Sequence, residues 1–443
     1  MKPVILILFF SLCISATAFS QDDFKPEIKI GTTLFTGWEY NSGNDNFISS
    51  LDSSLVNPNA AFGYDPVKHQ FETSQNSFYL DRAYLTLLGT FTPTVKGRVT
   101  TDLYSITDGA GKTQYQLGLK FAWLDWTPYK NENGMAVDLS FGILPNQWIT
   151  INEKYYGYRG FAKTLTDFQW ITSASKSANA VSGKYAVSKT QSSYFTPADL
   201  GANLSLTGPK GIGELYLNVF NGNGFRNISF DNRFKDVEAI LFVHPLAEQI
   251  KNSSKKSESG RIFGITELTF GGFVYLGKLG LGENFIPNGV QYQRNRLGGM
   301  VNLKYNFAKA GFVKVGGEYS IQSNRDPSSA NSTVEVKTTS TGFSSYLEFN
   351  PPVESLNEKL MLVARYDSFD PDNLNDNTSV NSFNNNTDKQ SLLMLSLAYK
   401  PSKYITLGLS YQQIGYQLPY IVNYDGLTST TDSKLLVHGI LEF

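Results

Sequence analysis

The chain has 443 residues, 38 of them Lys or Arg and 39 Asp or Glu, for a formal net charge of −1. So even a balance gives no electrostatic reason to expect nucleic acid as a partner. Aromatic residues make up 14% of the chain, mean hydropathy is −0.23, and beyond the N-terminus no apolar run approaches the roughly twenty residues of a membrane helix, so any membrane insertion has to use strands.

The N-terminus comes first. Lys2 precedes an apolar run from Val4 to Ile14, followed by small residues and a cut site after Ala18-Phe19-Ser20. This is the pattern of a cleaved secretory signal peptide over residues 1–20, leaving a chain that starts at Gln21. The one cysteine, Cys13, leaves with it, so the exported chain has no disulfide, thiolate metal site or cysteine nucleophile.

From there to the C-terminus, apolar and polar residues alternate with period two. Ile28, Ile30, Leu34 and Trp38 share one face, with Lys29, Gly31 and Thr33 on the other. Val95, Val99 and Leu103 alternate with Lys96, Arg98 and Asp102. Tyr115, Leu117, Leu119, Phe121 and Trp123 alternate with Gln114, Gln116 and Lys120. Further on, Leu297, Val301, Leu303 and Tyr305 oppose Arg296, Met300, Asn302 and Lys304, and Leu407, Leu409 and Tyr411 oppose Thr406, Ser410 and Gln412. Each such segment is a strand with one apolar and one polar face.

Sixteen segments follow this rule, starting near residues 28, 77, 95, 113, 135, 199, 212, 234, 260, 291, 310, 339, 358, 388, 403 and 432. Those near 234, 260, 358 and 388 are apolar on both faces in places, as in Leu392 to Leu397. Connections alternate in length. The short set includes Thr92-Pro93-Thr94, Gly208-Pro209-Lys210-Gly211 and Pro401-Ser402; the long set includes 41–76, 145–198, 323–338, 370–387 and 418–431. Two members break the trend, 107–112 being short and 246–259 long for its set.

Short turns on one rim and long loops on the other predict an all-β fold: a closed up-and-down antiparallel transmembrane β-barrel of about sixteen strands, with short periplasmic turns and long extracellular loops. Ten residues at about 3.3 Å each, tilted about 45°, rise about 23 Å, close to the apolar band of such barrels. In hydrocarbon every backbone donor and acceptor needs a partner, so the sheet has to close. Residues 21–443 then form one barrel domain in the Gram-negative outer membrane, with bilayer lipid around it. Aromatics near segment ends, Trp38, Tyr40, Tyr79, Phe91, Trp123, Trp126, Tyr399, Tyr404, Tyr411 and Tyr416, read as interfacial girdles.

If the apolar face meets lipid, the other lines a wet lumen. By parity the inner wall carries Arg82, Lys96, Arg98, Lys120, Lys304, Lys314 and Arg365 against Asp102, Glu318 and Asp367, within a nearly balanced total of eleven basic and nine acidic positions. The insertion 145–198 is the third long loop, the one general porins fold inward. Lys154, Arg159, Lys163, Lys176, Lys184 and Lys189 against Glu153 and Asp167 give it a net +4. The expectation is an inward-folding constriction with mild anion preference, built on Glu153, Lys154, Arg159, Lys163 and Asp167.

The last segment, Leu435, Val437, Gly439, Leu441 and Phe443, ends on an aromatic residue. Outer-membrane barrels resemble this at their C-termini, where a terminal Phe is read by the barrel-assembly machinery. A wider resemblance rests on Arg82-Ala83-Tyr84-Leu85 with Gly89 and Arg98, on Gly142 and Pro145 ahead of Trp148, Glu153-Lys154 and Tyr158-Arg159, on Ala198-Asp199-Leu200-Gly201, on Asn221-Gly222-Asn223-Gly224, and on Arg365-Tyr366-Asp367 with Phe369-Asp370-Pro371. In these scattered motifs the chain resembles the phosphate-selective porin O/P family. The resemblance implies a sixteen-stranded barrel, usually a homotrimer, passing small hydrophilic solutes or anions. The balanced wall departs from the arginine runs to which that family's phosphate selectivity is attributed.

Other chemistry finds little support. His69, His244 and His438 sit apart and suggest no Ser–His or Asp–His pairing, so no enzyme activity is expected. Asp370-Pro371-Asp372-Asn373 lacks a full calcium-ligand pattern, and no metal or cofactor is expected. A barrel with a closed lumen, acting as receptor or adhesin through loops 41–76 and 145–198, is the alternative.

Overall fold

The computed structural model describes residues 24–41, 76–107, 113–178, 185–225, 234–256, 262–279, 292–327, 335–371, 389–417, 421–422, 428–429 and 431–443. Residues 1–20, expected to be a signal peptide, and most of the 41–76 loop lie outside these residues.

The alternating segments become strands. Along the chain these are β1 (Glu27–Asn41), β2 (Asn76–Thr92), β3 (Val95–Thr107), β4 (Thr113–Lys130) and β5 (Ala136–Pro145). A helix, α1 (Gln147–Tyr156), and a hairpin, β6 (Trp170–Ala178) with β7 (Tyr185–Ser192), fill the insertion after β5. Then come β8 (Ala198–Thr207), β9 (Gly213–Phe220), β10 (Asp236–Val243), a second helix α2 (Ala247–Lys256), β11 (Gly264–Leu279), β12 (Tyr292–Asn306) and β13 (Phe312–Pro327). The series ends with β14 (Glu335–Asn350), β15 (Leu360–Asp370), β16 (Gln390–Ser402), β17 (Ile405–Tyr416), the short β18 (Ile421–Val422) and β19 (Thr428–Ser429), and β20 (Thr431–Glu442).

Sixteen of these close into one antiparallel barrel in the order β1-β2-β3-β4-β5-β8-β9-β10-β11-β12-β13-β14-β15-β16-β17-β20. Closure runs through β1 and β20, which pair from Thr33↔Glu442 to Asn41↔Lys434. The terminal residue completes the seam: Thr32 N donates to Phe443 O at 2.5 Å and Phe443 N to Thr32 O at 3.0 Å. No edge is left, so no ladder hydrogen bond is lost to hydrocarbon. α2 accounts for the one long connection on the short-turn rim; Lys210 bridges from the turn after β8 to its Glu248 at 2.5 Å.

Outside, Leu87, Leu117, Leu217, Leu241, Val274, Leu297, Leu362, Leu395, Leu409 and Val437 form an exposed apolar band. Residues at the alternate strand positions turn inward, among them Thr100, Asn218, Glu238, Asn302, Glu318 and Ser410, all buried. No helix among the described residues is long and apolar enough to cross a membrane; here the strands do so.

The sequence parity needs correction in two strands. In β4 the register slips between Thr100↔Phe121 and Thr101↔Leu119, a bulge at Lys120 that turns both Lys120 and Phe121 inward. Trp123 therefore packs against the interior cluster, while Leu124 is exposed outside. In β2 a bulge at Asp81 puts Tyr79 and Arg82 on the same inner side. Tyr79, Trp123 and the buried Tyr416 thus leave the proposed girdle, whereas Phe91, Tyr399, Tyr404 and Tyr411 stay exposed.

Candidate functional site

Residues 146–170 and 194–195 pack on the inner face of the wall. α1 starts at Asn146, whose side chain caps it by accepting from Ile149 N at 3.0 Å, and it stops at Gly157 in the left-handed region (φ 77°) that favours glycine. One side of the helix is apolar and finds apolar wall. Trp148, fully buried, stacks on Phe242 (5.7 Å) and meets Phe273 at a tilt (4.5 Å). Tyr156 meets Tyr346, Trp170 stacks on Phe369 at 5.0 Å, and Phe161 stacks on His438 at 4.6 Å. The fit is close: a Cβ on Gly408 would stand 2.3 Å from the Phe161 ring.

Polar anchors hold the same segment. Wall carboxylates accept from it: Glu238 from Asn146 (3.3 Å), Glu318 from the Trp148 indole (2.6 Å) and Asn152 (3.3 Å), and Glu348 from Tyr158 (2.5 Å). Lys314 donates to Tyr155 O at 2.7 Å, placing a cation on the C-terminal carbonyls of α1. Arg365 forks onto Asp367 through Nε (2.9 Å) and a terminal nitrogen (2.5 Å), and its other terminal nitrogen donates to Lys163 O at 2.6 Å.

These contacts run from β10 round to β17, then to β20, β1 and β2. The inner faces of β3–β5 and β9 keep more accessible polar groups, with Lys96 exposed and Arg98, Asp125, Asp138 and Glu214 partly so. The helix presents Thr150 and Lys154, both exposed, away from its buried side. Between the two regions lies a convergence of cations on one phenol. Tyr84 Oη receives Lys120 at 2.7 Å, Arg159 at 3.1 Å and Arg82 at 3.2 Å. Arg159 also bridges to Glu153 and, at 3.1 Å, to Asp167, with Lys163 4.0 Å from the same carboxylate.

Burial shapes the titration of the loop members. It pushes the Glu153 carboxyl up to about 7, against the pull of Arg159 and with a further push from Asp167. Burial also lowers the Lys163 ammonium, opposed by Asp167. It works against the Arg159 guanidinium too, but Glu153, Tyr84 and Asp167 outweigh it and hold that group above its usual value.

The structure therefore sorts the residues singled out in the sequence. Glu153, Arg159, Lys163, Asp167, Arg82 and Lys120 come together, with Asp102 buried and Arg98 stacked over Phe121 on the same wall sector. Lys154 and Lys96 stand exposed. Lys304 lies over the Phe312 ring at 4.0 Å, and Lys314 pairs with Glu348 at 3.0 Å. Glu318, Arg365 and Asp367 sit on the inner face as the parity implied, but they are sealed under the insertion and anchor it. Parity put Glu238 and Glu348 on the inner face but not beneath the insertion they anchor, and it gave no role to the hub Tyr84 or to the anchors Trp148 and Tyr158. The signal for their partners was the apolar inner face of β10, β11, β15 and β16, where Phe242, Phe273, Val363 and Met394 await the insertion. Among the described residues no group of His, Cys, Asp or Glu could hold a metal ion.

No family model and no curated protein matches the sequence. Solved structures do. An anion-selective porin from Comamonas acidovorans superposes with a TM-score of 0.52 at 10% identity, covering 95% of this chain and 100% of that one. Salmonella typhi OmpF, in a complex with daunomycin, gives 0.50 at 11% identity, covering 94% and 97%. At such identity the likeness establishes the fold, a porin-type sixteen-stranded barrel.

Proposed function

We propose that the chain is an outer-membrane porin through which small hydrophilic solutes and ions diffuse passively, with a mild preference for anions. The observation that carries this reading is the convergence of Arg82, Lys120 and Arg159 on Tyr84, where an inward-packed insertion meets the wall. With Arg98 and Lys163 nearby, five cations face four carboxylates, those of Asp81, Asp102, Glu153 and Asp167. A net positive constriction between low-dielectric walls concentrates field and favours anions over cations. The passage runs between the exposed side of α1 and the polar inner faces of β3–β5 and β9. The anion-selective porin that shares the fold supports the same sign, and the scattered motifs of the phosphate-selective O/P family support the same class.

In this reading residues 1–20 direct export and are removed, Phe443 marks the seam strand for barrel assembly, and the protein sits in the outer membrane as a homotrimer. Liposome swelling tests it. Vesicles carrying the folded barrel swell in isotonic solutions of small sugars and amino acids. A closed barrel acting as receptor or adhesin leaves them unswollen.

A further inference from the structure

A polar cavity lies at the long-loop end of the inner wall, away from Tyr84. It measures about 50 Å³ and is lined by Asn146, Thr196, Asp199, Asp236, Arg294 and Arg296, with exposed Thr196 at its mouth. We propose that this cavity is a binding subsite for a compact zwitterion, a small solute carrying one carboxylate and one ammonium group.

Both signs of charge face one space here without closing on each other. Among the described residues, no ion pair within 4.0 Å joins Arg294 or Arg296 to Asp199 or Asp236. The carboxylates are held by uncharged donors. Asp199 accepts from Leu200 N (2.7 Å), Gly222 N (2.9 Å) and Gly224 N (3.1 Å), which is what wraps the Asn221-Gly222-Asn223-Gly224 turn around it. Asp236 accepts from Lys278 N at 2.9 Å and from the Tyr275 hydroxyl. Neutral donors fix the carboxylates in place, and among the described residues no cation contacts either of them.

The basic side is equally fixed. The Arg296 guanidinium lies over the rings of Phe195 (5.0 Å) and Tyr275 (4.5 Å), and its buried Nε has no hydrogen-bond partner. Stacking orients a guanidinium without consuming its N–H donors. Its Nε donor lacks an acceptor, and a carboxylate suits a guanidinium fork best.

Charge balance selects the ligand. A simple anion satisfies the arginines but meets the field of two aspartates, and a simple cation meets the reverse. A molecule with a carboxylate at one end and an ammonium at the other satisfies both. Size narrows it further: at about 10–15 Å³ per water, the cavity holds roughly three to five waters, a group the size of glycine or alanine.

The proposal does not rest on the channel reading, because binding is measured on the folded barrel in detergent without a membrane. Isothermal titration with glycine is expected to give saturable binding, and titrations with acetate and with ethylamine much weaker binding. Arg296→Gln and Asp236→Asn are each expected to weaken glycine by about tenfold or more. Lys403→Gln, in the exposed turn between β16 and β17, leaves it unchanged. Heat-modified gel migration reports that each variant is folded. Acetate binding as well as glycine makes the site a plain anion site and overturns the proposal. Ethylamine binding as well as glycine, no saturable glycine binding, or glycine binding indifferent to both variants overturns it too.

Discussion

Replacing Trp148 by alanine removes the largest single anchor of the insertion. The indole is fully buried, packs on Phe242 and Phe273, and donates to Glu318 at 2.6 Å. Deleting a buried Trp side chain costs about 3–5 kcal/mol, a total that includes the bond to a carboxylate, itself worth about 1.5–3 kcal/mol. At about 1.4 kcal/mol per factor of ten, the equilibrium between docked and undocked insertion shifts by roughly three decades. The barrel ladder loses nothing, because Trp148 belongs to no strand. Two readouts follow the insertion rather than the wall. Single-channel recordings are expected to show larger and noisier openings. Chymotrypsin is expected to cut after Tyr155, Tyr156, Tyr158 or Phe161, all buried in the parent protein. Conductance and protease resistance both equal to the parent's, in a variant that still folds, would refute the idea that this contact holds the insertion in place.

Three further perturbations probe other levels of the structure. Burial raises the Glu153 carboxyl from 4.5 to about 7, so its contribution to docking is complete below pH 4.5 and is lost as pH rises through about 7. Protonating it also strips one negative charge from the constriction, so anion preference is expected to strengthen from pH 8 to pH 5, read as the salt-gradient reversal potential at each pH. Leu241→Lys places a charge on the exposed apolar band and is expected to destabilise the barrel by about 2–4 kcal/mol if the position lies near the bilayer midplane, measured by guanidinium titration in lipid vesicles. Removing Phe443 deletes both hydrogen bonds to Thr32 at the seam, and the yield of heat-modifiable folded barrel is expected to fall.

The strands were legible because each has one lipid-facing and one interior face, and period two survives that asymmetry. Leu407, Leu409 and Tyr411 against Ser410 and Gln412 needed no tertiary knowledge to be placed. Parity failed where the backbone gains a residue. The bulge at Lys120 inverts everything after it in β4, so Trp123, apolar and in phase with Leu119, was assigned to lipid and in fact packs inside. No local pattern announces that slip. The inner wall was half legible. Charged positions such as Glu318 and Arg365 were assigned inward, but whether they line a passage or lie beneath the insertion depends on what packs over them. The two-faced apolarity of β15 and β16 held that information. Met361, Val363, Leu392 and Met394 are apolar on the inner side because the insertion covers them. Tyr84 escaped notice because its role depends on three cations from β2, β4 and the insertion, brought together only by closure.

The central claim is a water-filled passage whose narrowest part carries net positive charge. Its most direct test is the zero-current potential of the purified barrel in a planar bilayer under a salt gradient, with the Arg159→Gln variant measured alongside. The account predicts measurable conductance, a potential of the sign set by the more permeant anion, and a smaller potential in the variant. An absence of conductance, or a potential of the opposite sign, contradicts it.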